Sequence, residues 1–335
     1  MVVAERITLQ DLERDPDHEF VVAEGVGRER IDCFLARMLP EYSRNRLKSL
    51  IKNRRVLVSR QPVKAGYVIH PADVVSIWLD VQQAVSELVP QAMDLGILYE
   101  DADILVVNKP PGLVVHPGAG HREGTLVHGL LAHCPRLASQ GSPLRPGNVH
   151  RLDQGTSGAM VVAKSDRAYS DLVQQFKTHS VQKEYLALVY GSFRDVSGEI
   201  RASMGRHPGD RKKMAVLQGR GREAVSRWVL EKDWGEVSLL HVLIETGRTH
   251  QIRVHLSHLH HPIVGDPTYG GGSGRADALR SKPLRQAILQ VRRPMLHAMR
   301  LGFRHPASKT PLEFHAPLPE DFSRLLDTIS TLLQP

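Results

Sequence analysis

The stretch His150-Arg151-Leu152-Asp153-Gln154-Gly155-Thr156-Ser157-Gly158 leads directly into the apolar run 159–163. The pattern predicts a short polar turn that carries one carboxylate, Asp153, followed by a buried strand. Gly155 and Gly158 permit sharp backbone bends and the close approach of a ligand. An acid on a loop that is fixed by a rigid strand is a typical position for a catalytic group. In the alternative interpretation this is an ordinary turn, in which Asp153 caps backbone N–H groups.

The composition is that of a globular protein with a basic balance. The chain has 335 residues, 41% of them hydrophobic, and a formal net charge of +8. The length allows two domains, and the charge favours a polyanionic partner without excluding a merely basic enzyme. The two cysteines, Cys33 and Cys134, are too few for a disulfide scaffold or a zinc ribbon and fit a reducing cytosol.

Targeting and assembly signals are sparse. No apolar run approaches the about 20 residues that span a bilayer, and the N-terminus has no signal-peptide pattern. We therefore expect a cytoplasmic protein with no membrane partner, and a monomer by default.

The charge pattern divides the first part of the chain. Residues 1–27 are rich in acids and are expected to be flexible, whereas residues 28–60 contain ten basic and three acidic residues. Ile31, Phe34, Leu35, Met38 and Leu39 form the apolar stripe of an amphipathic helix that Pro40 ends. A second helix, with Ser43 as its N-cap, places Leu47, Leu50 and Ile51 inward. Strands are predicted at 56–58 and 74–79.

The basic side chains of this unit are candidates for RNA binding, although a charge run is more often only a solvated face. They are Arg44, Arg46, Lys48, Lys52, Arg54 and Arg55. The order of hydrophobic helix, Tyr42-Ser43-Arg44, basic helix and Val-Leu-Val strand resembles the S4 RNA-binding domain. The resemblance implies an S4-like domain over 28–80 that binds RNA, followed by a linker over 81–94.

Strand patterns dominate residues 95–335 and mostly follow one another directly, which predicts an α+β domain with a large mixed or antiparallel sheet. Ser165 is expected to cap a helix over 166–177, and Thr249 a helix that carries Ile252, Val254 and Leu256. Residues 270–293 begin with three glycines and are rich in Arg and Lys, so we expect an exposed, partly disordered insert.

Three separated motifs resemble those of the pseudouridine synthases of the large-subunit rRNA type. They are the opening stretch 150–158, the segment Lys183-Glu184-Tyr185, and Gly247-Arg248-Thr249-His250-Gln251-Ile252-Arg253-Val254-His255. They occur in the order of the family, and the resemblance runs from about residue 30 to about residue 320. It departs at Ala159, where the family usually has leucine, and at Gln154-Gly155, where charged pairs are commoner.

The resemblance implies an isomerase that converts several uridines of 23S rRNA to pseudouridine after turning the base out of its stack. Asp153 corresponds to the catalytic aspartate, Arg253 to the arginine paired with it, and Tyr185 to the aromatic residue that stacks on the uracil. Arg151 is implied to hold the RNA or to fill the vacated space. No atoms are gained or lost overall, so no cofactor or metal is expected.

Three other interpretations of the sequence compete with this one. The first is a non-catalytic RNA-binding or ribosome-assembly factor, which would be free to lose one of the three site residues. The second is a metal-dependent hydrolase built on His255, His258, His260 and His261, which have no carboxylate or cysteine beside them at helical ligand spacing. The third is a kinase catalytic loop at 150–153, which has no accompanying glycine-rich loop or Asp-Phe-Gly segment.

Overall fold

The structure is a computed structural model. It describes residues 15–25, 28–40, 42, 44–79, 88–118, 120–134, 136–140, 144–210 and 212–333. The chain divides into two compact units, Met1–Glu87 and Leu88–Pro335. No helix among the described residues is long and apolar enough to cross a membrane.

The first unit is a four-stranded sheet with two helices. Its elements are β1 (His18–Val21), α1 (Ile31–Met38), α2 (Arg44–Lys52), β2 (Val56–Val58), β3 (Gln61–Pro62) and β4 (Val74–Ile77), and the strand order is β1-β4-β2-β3. The predicted apolar stripe is confirmed for Ile31, Phe34, Leu35 and Leu39, which are buried, but not for Met38, which is exposed. Leu47, Leu50 and Ile51 of α2 are buried in the same core, as expected. Ser43 lies outside the described residues.

Strand β1 corrects the expectation that residues 1–27 are a flexible lead-in, at least for 18–21. It pairs antiparallel with β4. Phe20 packs on the core of the unit with its ring edge-on to Phe34. The acidic side chains are used as partners, since Glu19 accepts a hydrogen bond from Ser76 Oγ at 3.0 Å. The strand sequence His18-Glu19-Phe20-Val21 contains a single acid, so the acid count of residues 1–27 did not reveal this edge strand. Residues 1–14 lie outside the described part of the chain.

The second unit contains a ten-stranded sheet, which confirms the predicted α+β class. The strands are β5 (Ile97–Glu100), β6 (Ile104–Lys109), β7 (Ser157–Ala163), β8 (Gln182–Tyr190), β9 (Ser197–Arg206), β10 (Met214–Val216), β11 (Arg222–Asp233), β12 (Val237–Ile244), β13 (Leu296–Arg304) and β14 (Pro311–His315). Their order is β10-β9-β11-β12-β8-β13-β7-β6-β5, with β14 paired to β13. Among the described strands, β7 and β13 form a parallel pair, and the other pairs are antiparallel.

Strand β7 is buried at every position because both faces of the sheet are covered there. Met160 and Val162 belong to the larger core, and Val161 belongs to the core on the opposite face. Gly158 has φ +118°, and a Cβ atom at this position would lie 2.2 Å from the carbonyl oxygen of Ala298. Only glycine fits where the backbone of β7 approaches that of β13 so closely. The turn that carries Asp153 is therefore attached to the centre of the sheet.

Six helices of the second unit are α3 (Leu126–His133), α4 (Asp166–Lys177), α5 (Gln251–His258), α6 (Ser273–Ala276), α7 (Lys282–Leu289) and α8 (Glu320–Leu332). Ser165 caps α4 as predicted, with its Oγ accepting from Ala168 N at 3.2 Å. The predicted cap of α5 was wrong by one residue, because His250 and not Thr249 is the N-cap.

The expectation of a partly disordered insert over 270–293 was also wrong. This segment forms α6 and α7, and Ala276, Leu279, Leu284 and Ile288 are buried in the main core. Ser281 caps α7 by accepting from Leu284 N at 3.3 Å. Leu284 and Ile288, an apolar pair at i and i+4 of α7, pack the helix on the main core, although glycines and basic residues surround the pair in the sequence.

Candidate active site

Asp153 lies on the turn before β7 and faces a cleft of about 1430 Å³. Its side chain is 17% exposed, so it is neither sealed in the core nor open to bulk water. The turn is closed by a bond from Thr156 N to the carbonyl oxygen of Asp153 at 3.0 Å. The carboxylate is therefore held by a tight backbone turn and can still be reached from the cleft.

Arg253 of α5 contacts two carboxylates at once. Its Nη1 donates to Asp153 Oδ2 at 3.1 Å, while Nε and Nη2 donate to the fully buried Asp266 at 2.6 and 2.9 Å. Burial opposes the charge of Arg253, but the hydrogen bonds and negative charge of Asp266, and then the charge of Asp153, raise the pKa of Arg253 above its ordinary value. The guanidinium therefore stays charged and holds both carboxylates in fixed positions.

Tyr185 of β8 lines a second cavity of about 70 Å³, which also includes Arg151, Asp153 and Arg253. Its ring is buried, with 8% exposure. Burial, and then the charge of Asp153, raises the pKa of Tyr185 well above its ordinary value, so the phenol stays protonated. The three predicted site residues, which are up to 100 positions apart in the chain, thus share one cavity. Arg151 is exposed and lines both cavities.

Two buried cations that the sequence analysis missed hold the turn. Lys109 Nζ donates to the carbonyl oxygens of Pro110, Leu113 and Gln154 at 2.9, 2.9 and 3.3 Å. Burial is the main cause that lowers the pKa of Lys109 to about 7; the charge of Asp153 raises it, and that of Arg293 lowers it further. The only sequence feature that indicates a structural role for Lys109 is its position at the end of the apolar strand β6.

Arg293 holds the other side of the same turn. Its Nη1 donates to the carbonyl oxygen of Gly155 at 3.2 Å, and its Nε and Nη2 donate to Asp321 of α8 at 2.6 and 2.7 Å. Residues 110–113, the turn that carries Asp153 and the C-terminal helix are therefore linked by two buried basic side chains. No sequence pattern predicts this contact, because its partners lie 138 and 28 positions away.

His150, the first residue of the opening motif, has a structural role. Its Nε2 accepts from Val161 N at 3.0 Å, and its ring stacks on Phe176. Burial, and then the charge of Lys183, lowers the pKa of His150 to about 3. The ring is therefore neutral at physiological pH and can act as an acceptor for the backbone of β7.

His250 and Tyr269 also line or contact the site and were given no role from the sequence. His250 Nε2 lies 3.8 Å from Asp153 Oδ2, and His250 Nδ1 lies 2.7 Å from Tyr269 Oη. The ring of Tyr269 lies under the Arg253 guanidinium, with 5.0 Å from Cζ to the ring centroid. The sequence pattern gave little indication of a role for Tyr269 or for Asp266, because both residues stand beside a glycine-rich segment.

Two of the four histidines that suggested a metal site, His255 and His261, have other partners. His255 Nδ1 lies 2.9 Å from Ser226 Oγ, and His261 Nδ1 lies 2.8 Å from the carbonyl oxygen of Tyr190. Within the described ranges of the chain, no group of three His, Cys, Asp or Glu side chains is placed to hold a metal ion.

Two of the six basic candidates of the first unit contact one buried acid. Arg44 and Lys48 contact Asp32 at 3.0 and 3.3 Å, and Arg30 contacts it at 3.0 Å. Lys52 and Arg54 are exposed and Arg55 is partly buried. The side chain of Arg46 lies outside the described part of the structure.

Comparison with known proteins identifies both units. A family model described as RNA pseudouridylate synthase matches residues 103–258, and one described as S4 domain matches residues 29–75. Ribosomal large subunit pseudouridine synthase D of Xylella fastidiosa is 43% identical over 315 residues, which cover 91% of this chain and 90% of that protein. The protein of the same name from Pseudomonas aeruginosa is 42% identical over 309 residues, covering 91% and 93%.

Two solved structures share the fold of the second unit. Human RNA Pseudouridylate Synthase Domain Containing 4 is 26% identical with a TM-score of 0.54, covering 70% of this chain and 92% of that one. Human RNA Pseudouridylate Synthase Domain Containing 1 is 28% identical with a TM-score of 0.50, covering 72% and 97%. These matches support catalysis over the non-catalytic binding factor and the metal-dependent hydrolase. The chain belongs to the RNA pseudouridine synthases, the enzymes that isomerise uridine in RNA to pseudouridine.

Proposed function

We propose that this enzyme converts several uridines of 23S rRNA, in the large ribosomal subunit or its precursor, to pseudouridine. The names of the Xylella and Pseudomonas relatives support the substrate class, and the S4 match supports RNA binding. We propose that the enzyme acts in the cytoplasm as a monomer. The observation that carries the proposal is the contact of Arg253 with Asp153 in a cavity that Tyr185 also lines.

Asp153 acts on the sugar of the flipped nucleoside. The N1–C1′ bond breaks, the base turns, C5 bonds to C1′, the hydrogen on C5 leaves, and N1 takes up a proton. The carboxylate either attacks the sugar or removes a proton from it, and both routes require the ionised acid. Arg253 stabilises that ionised form and fixes its orientation, while Asp266 holds Arg253 from the opposite side.

Tyr185 and Arg151 hold the substrate. Tyr185 supplies a flat face for the uracil, and stacking of this kind contributes about 1–3 kcal/mol per base. Its phenol stays protonated, so it is a hydrogen-bond donor to the base, and the hydrogen on C5 leaves to solvent. Arg151 is exposed at the mouth of both cavities, where it holds the RNA or occupies the space that the flipped base leaves.

The first unit anchors the RNA. We assign its phosphate contacts to Arg44, Arg46, Lys48, Lys52, Arg54 and Arg55, which are the basic residues of α2 and of the turn that follows it. Such contacts give affinity that falls with salt and carry no sequence information. The choice of uridine then depends on the second unit.

The experiment is to replace Asp153 by Asn and to assay a 23S rRNA transcript labelled with tritium at C5 of uridine. We expect kcat to fall by about 10³-fold or more, because the variant lacks the ionised group that acts on the sugar. The Kd for the RNA should change by less than about twofold, since the affinity comes mainly from phosphate contacts.

The matched control is Asp195→Asn, which changes an exposed aspartate of the same unit and should leave both quantities unchanged. Substantial tritium release by the Asp153→Asn variant would disprove the proposed role of Asp153. Carbodiimide mapping of 23S rRNA from cells with and without this gene identifies the uridines, and an identical pattern in both would disprove the proposed substrate.

A further inference from the structure

His250 occupies an unusual position beside the catalytic acid. It is the N-cap of α5 with φ +58°, a left-handed conformation that is uncommon for residues other than glycine. Its side chain is 22% exposed and lines both the cleft and the smaller cavity. The distance of 3.8 Å from Nε2 to Asp153 Oδ2 is too long for a hydrogen bond. One oxygen atom, however, can lie within hydrogen-bond distance of both groups.

The hydrogen bonds of Tyr269 determine which ring nitrogen of His250 carries the hydrogen. The Tyr269 oxygen accepts from Met214 N at 2.9 Å and lies 2.7 Å from His250 Nδ1. Among the described residues no other acceptor is found for the hydroxyl hydrogen, so we assign the hydroxyl as the donor to Nδ1. Nδ1 is then the acceptor, and the ring hydrogen is on Nε2, the atom nearer Asp153.

The ring of His250 is neutral because of its surroundings. Burial lowers the pKa of His250, and the nearby charges of Arg253 and Arg151 lower it further, against the charges of Asp153 and Asp266. A neutral ring with hydrogen on Nε2 is a donor to the space in front of Asp153, while the ionised carboxylate is an acceptor. The two groups therefore form a donor–acceptor pair that matches a hydroxyl group, which can accept from one and donate to the other.

We propose that His250 and Asp153 together bind the 2′-hydroxyl of the target nucleotide, with His250 Nε2 donating and Asp153 accepting. This inference rests on the proposed function, because it takes the sugar of a flipped uridine to be the group on which Asp153 acts. The 2′-hydroxyl is attached next to C1′, the atom whose bond to the base is exchanged. It is also the group that distinguishes RNA from DNA. His250 is then a residue that selects ribose and orients it, and Tyr269 positions His250 through its hydroxyl.

The test compares two RNAs that differ only in uridine or 2′-deoxyuridine at the target position, with wild-type enzyme and His250→Asn. Asparagine tolerates the left-handed conformation but is too short to reach the same oxygen. We expect kcat/KM for the uridine RNA to fall about tenfold in the variant, the effect of removing one hydrogen bond to a polar group. For the 2′-deoxyuridine RNA, kcat/KM, or its Ki as a competitor where it is not converted, should be the same in both enzymes.

A second variant and a control complete the test. Tyr269→Phe keeps the ring beneath Arg253 and removes the hydroxyl that fixes the tautomer of His250, so we expect a smaller loss, about threefold, again only with the uridine RNA. His258→Asn changes an exposed histidine of the same helix and should match the wild type with both RNAs.

The alternative occupant of the gap is an ordered water molecule. If His250→Asn weakens the reaction or the binding of both RNAs by the same factor, His250 acts through water and the proposal is overturned. It is also overturned if the uridine RNA is unaffected. A wild-type enzyme that forms no pseudouridine in the uridine RNA, in contrast, would disprove the proposed function before His250 is tested.

Discussion

The two units each contain an aspartate held by arginine, but the balance of charge around the two acids is opposite. In the active site, the single guanidinium of Arg253 lies between two carboxylates, Asp153 and Asp266. In the first unit, the single carboxylate of Asp32 accepts contacts from three cations, Arg30, Arg44 and Lys48. These three are half-exposed, whereas the side chain of Asp32 is fully buried.

We interpret this difference as a difference in role: the acid of the second unit is proposed to act on the substrate, and the basic residues of the first unit are proposed to bind phosphates. Two carboxylates share one guanidinium in the second unit, and Asp153 remains partly accessible from the cleft, as its proposed action on the sugar requires. An excess of positive charge around a buried aspartate holds three basic side chains in fixed positions on a surface. That arrangement lowers the conformational entropy that they lose when they bind phosphates. The same type of ion pair is therefore proposed to provide a reactive group in the second unit and an ordered basic surface in the first unit.

Removing Arg253 should have the largest effect. In Arg253→Gln, the fully buried Asp266 loses its bidentate partner and Asp153 loses its cation. We expect kcat to fall by about 10³-fold, and the free energy of unfolding of the second unit to fall by about 3–5 kcal/mol. Tritium release and urea unfolding monitored by circular dichroism measure the two effects.

The matched control is Arg167→Gln, which breaks a surface pair with Asp103 whose arginine is 69% exposed. Exposed pairs contribute about 0–1 kcal/mol, so this variant should keep its activity and nearly all of its stability. If Arg253→Gln were no less stable or active than Arg167→Gln, the shared guanidinium would not be what holds the site.

Removing Asp32 should have an intermediate effect that depends on pH. Burial raises the pKa of Asp32, but hydrogen bonds from Arg44 and Lys48 and the nearby charges outweigh burial and lower it overall. A depressed pKa in the folded state stabilises the protein above the unfolded pKa, near 4, and the contribution is lost as pH falls through the folded value. Asp32→Asn should therefore cost the first unit about 2 kcal/mol at pH 7, less than a fully enclosed pair because the cations are half-exposed.

Unfolding of the first unit, measured between pH 7 and pH 2.5, checks this sign. The difference between wild type and Asp32→Asn should narrow as the pH falls below about 4. Glu24→Gln, which changes an exposed acid of the same unit, should show no such convergence. A constant difference at all pH values would mean that Asp32 stabilises by packing and not by its charge.

The sequence predicted those parts of the fold and site that depend on neighbouring residues or on ordered motifs. The turn before β7, the Ser165 cap of α4 and the apolar stripe of α1 are local patterns. The trio of Asp153, Tyr185 and Arg253 followed from the resemblance of three motifs, since no local pattern joins residues up to 100 positions apart.

The remaining contacts are tertiary and have no sequence period. Lys109 contacts a carbonyl 45 positions away, and Arg293 contacts one 138 positions away. Composition also led to a wrong prediction for residues 270–293, which were expected to be partly disordered. Two buried apolar residues of α7 pack this segment on the core despite its glycines and basic residues. At His250 the helix begins one residue later than the Thr249 cap implied, because the backbone of His250 is left-handed and not helical.

The smallest effect is expected at the exposed end of the basic surface. Lys52→Gln combined with Arg54→Asn removes two exposed charges of the first unit, and asparagine suits the φ of +61° at position 54. The slope of log Kd against log salt concentration for a 23S rRNA transcript should fall by about 0.7–0.9 for each phosphate that the variant no longer neutralises. At saturating RNA, kcat should be unchanged, because the charges that are proposed to act on the sugar lie in the other unit.

Arg194→Gln, which removes an exposed charge of the second unit, is the control. If both variants gave the wild-type slope, the basic excess around α2 would be a solvated face, and the contrast between a reactive acid and an ordered phosphate-binding surface would lose its second half.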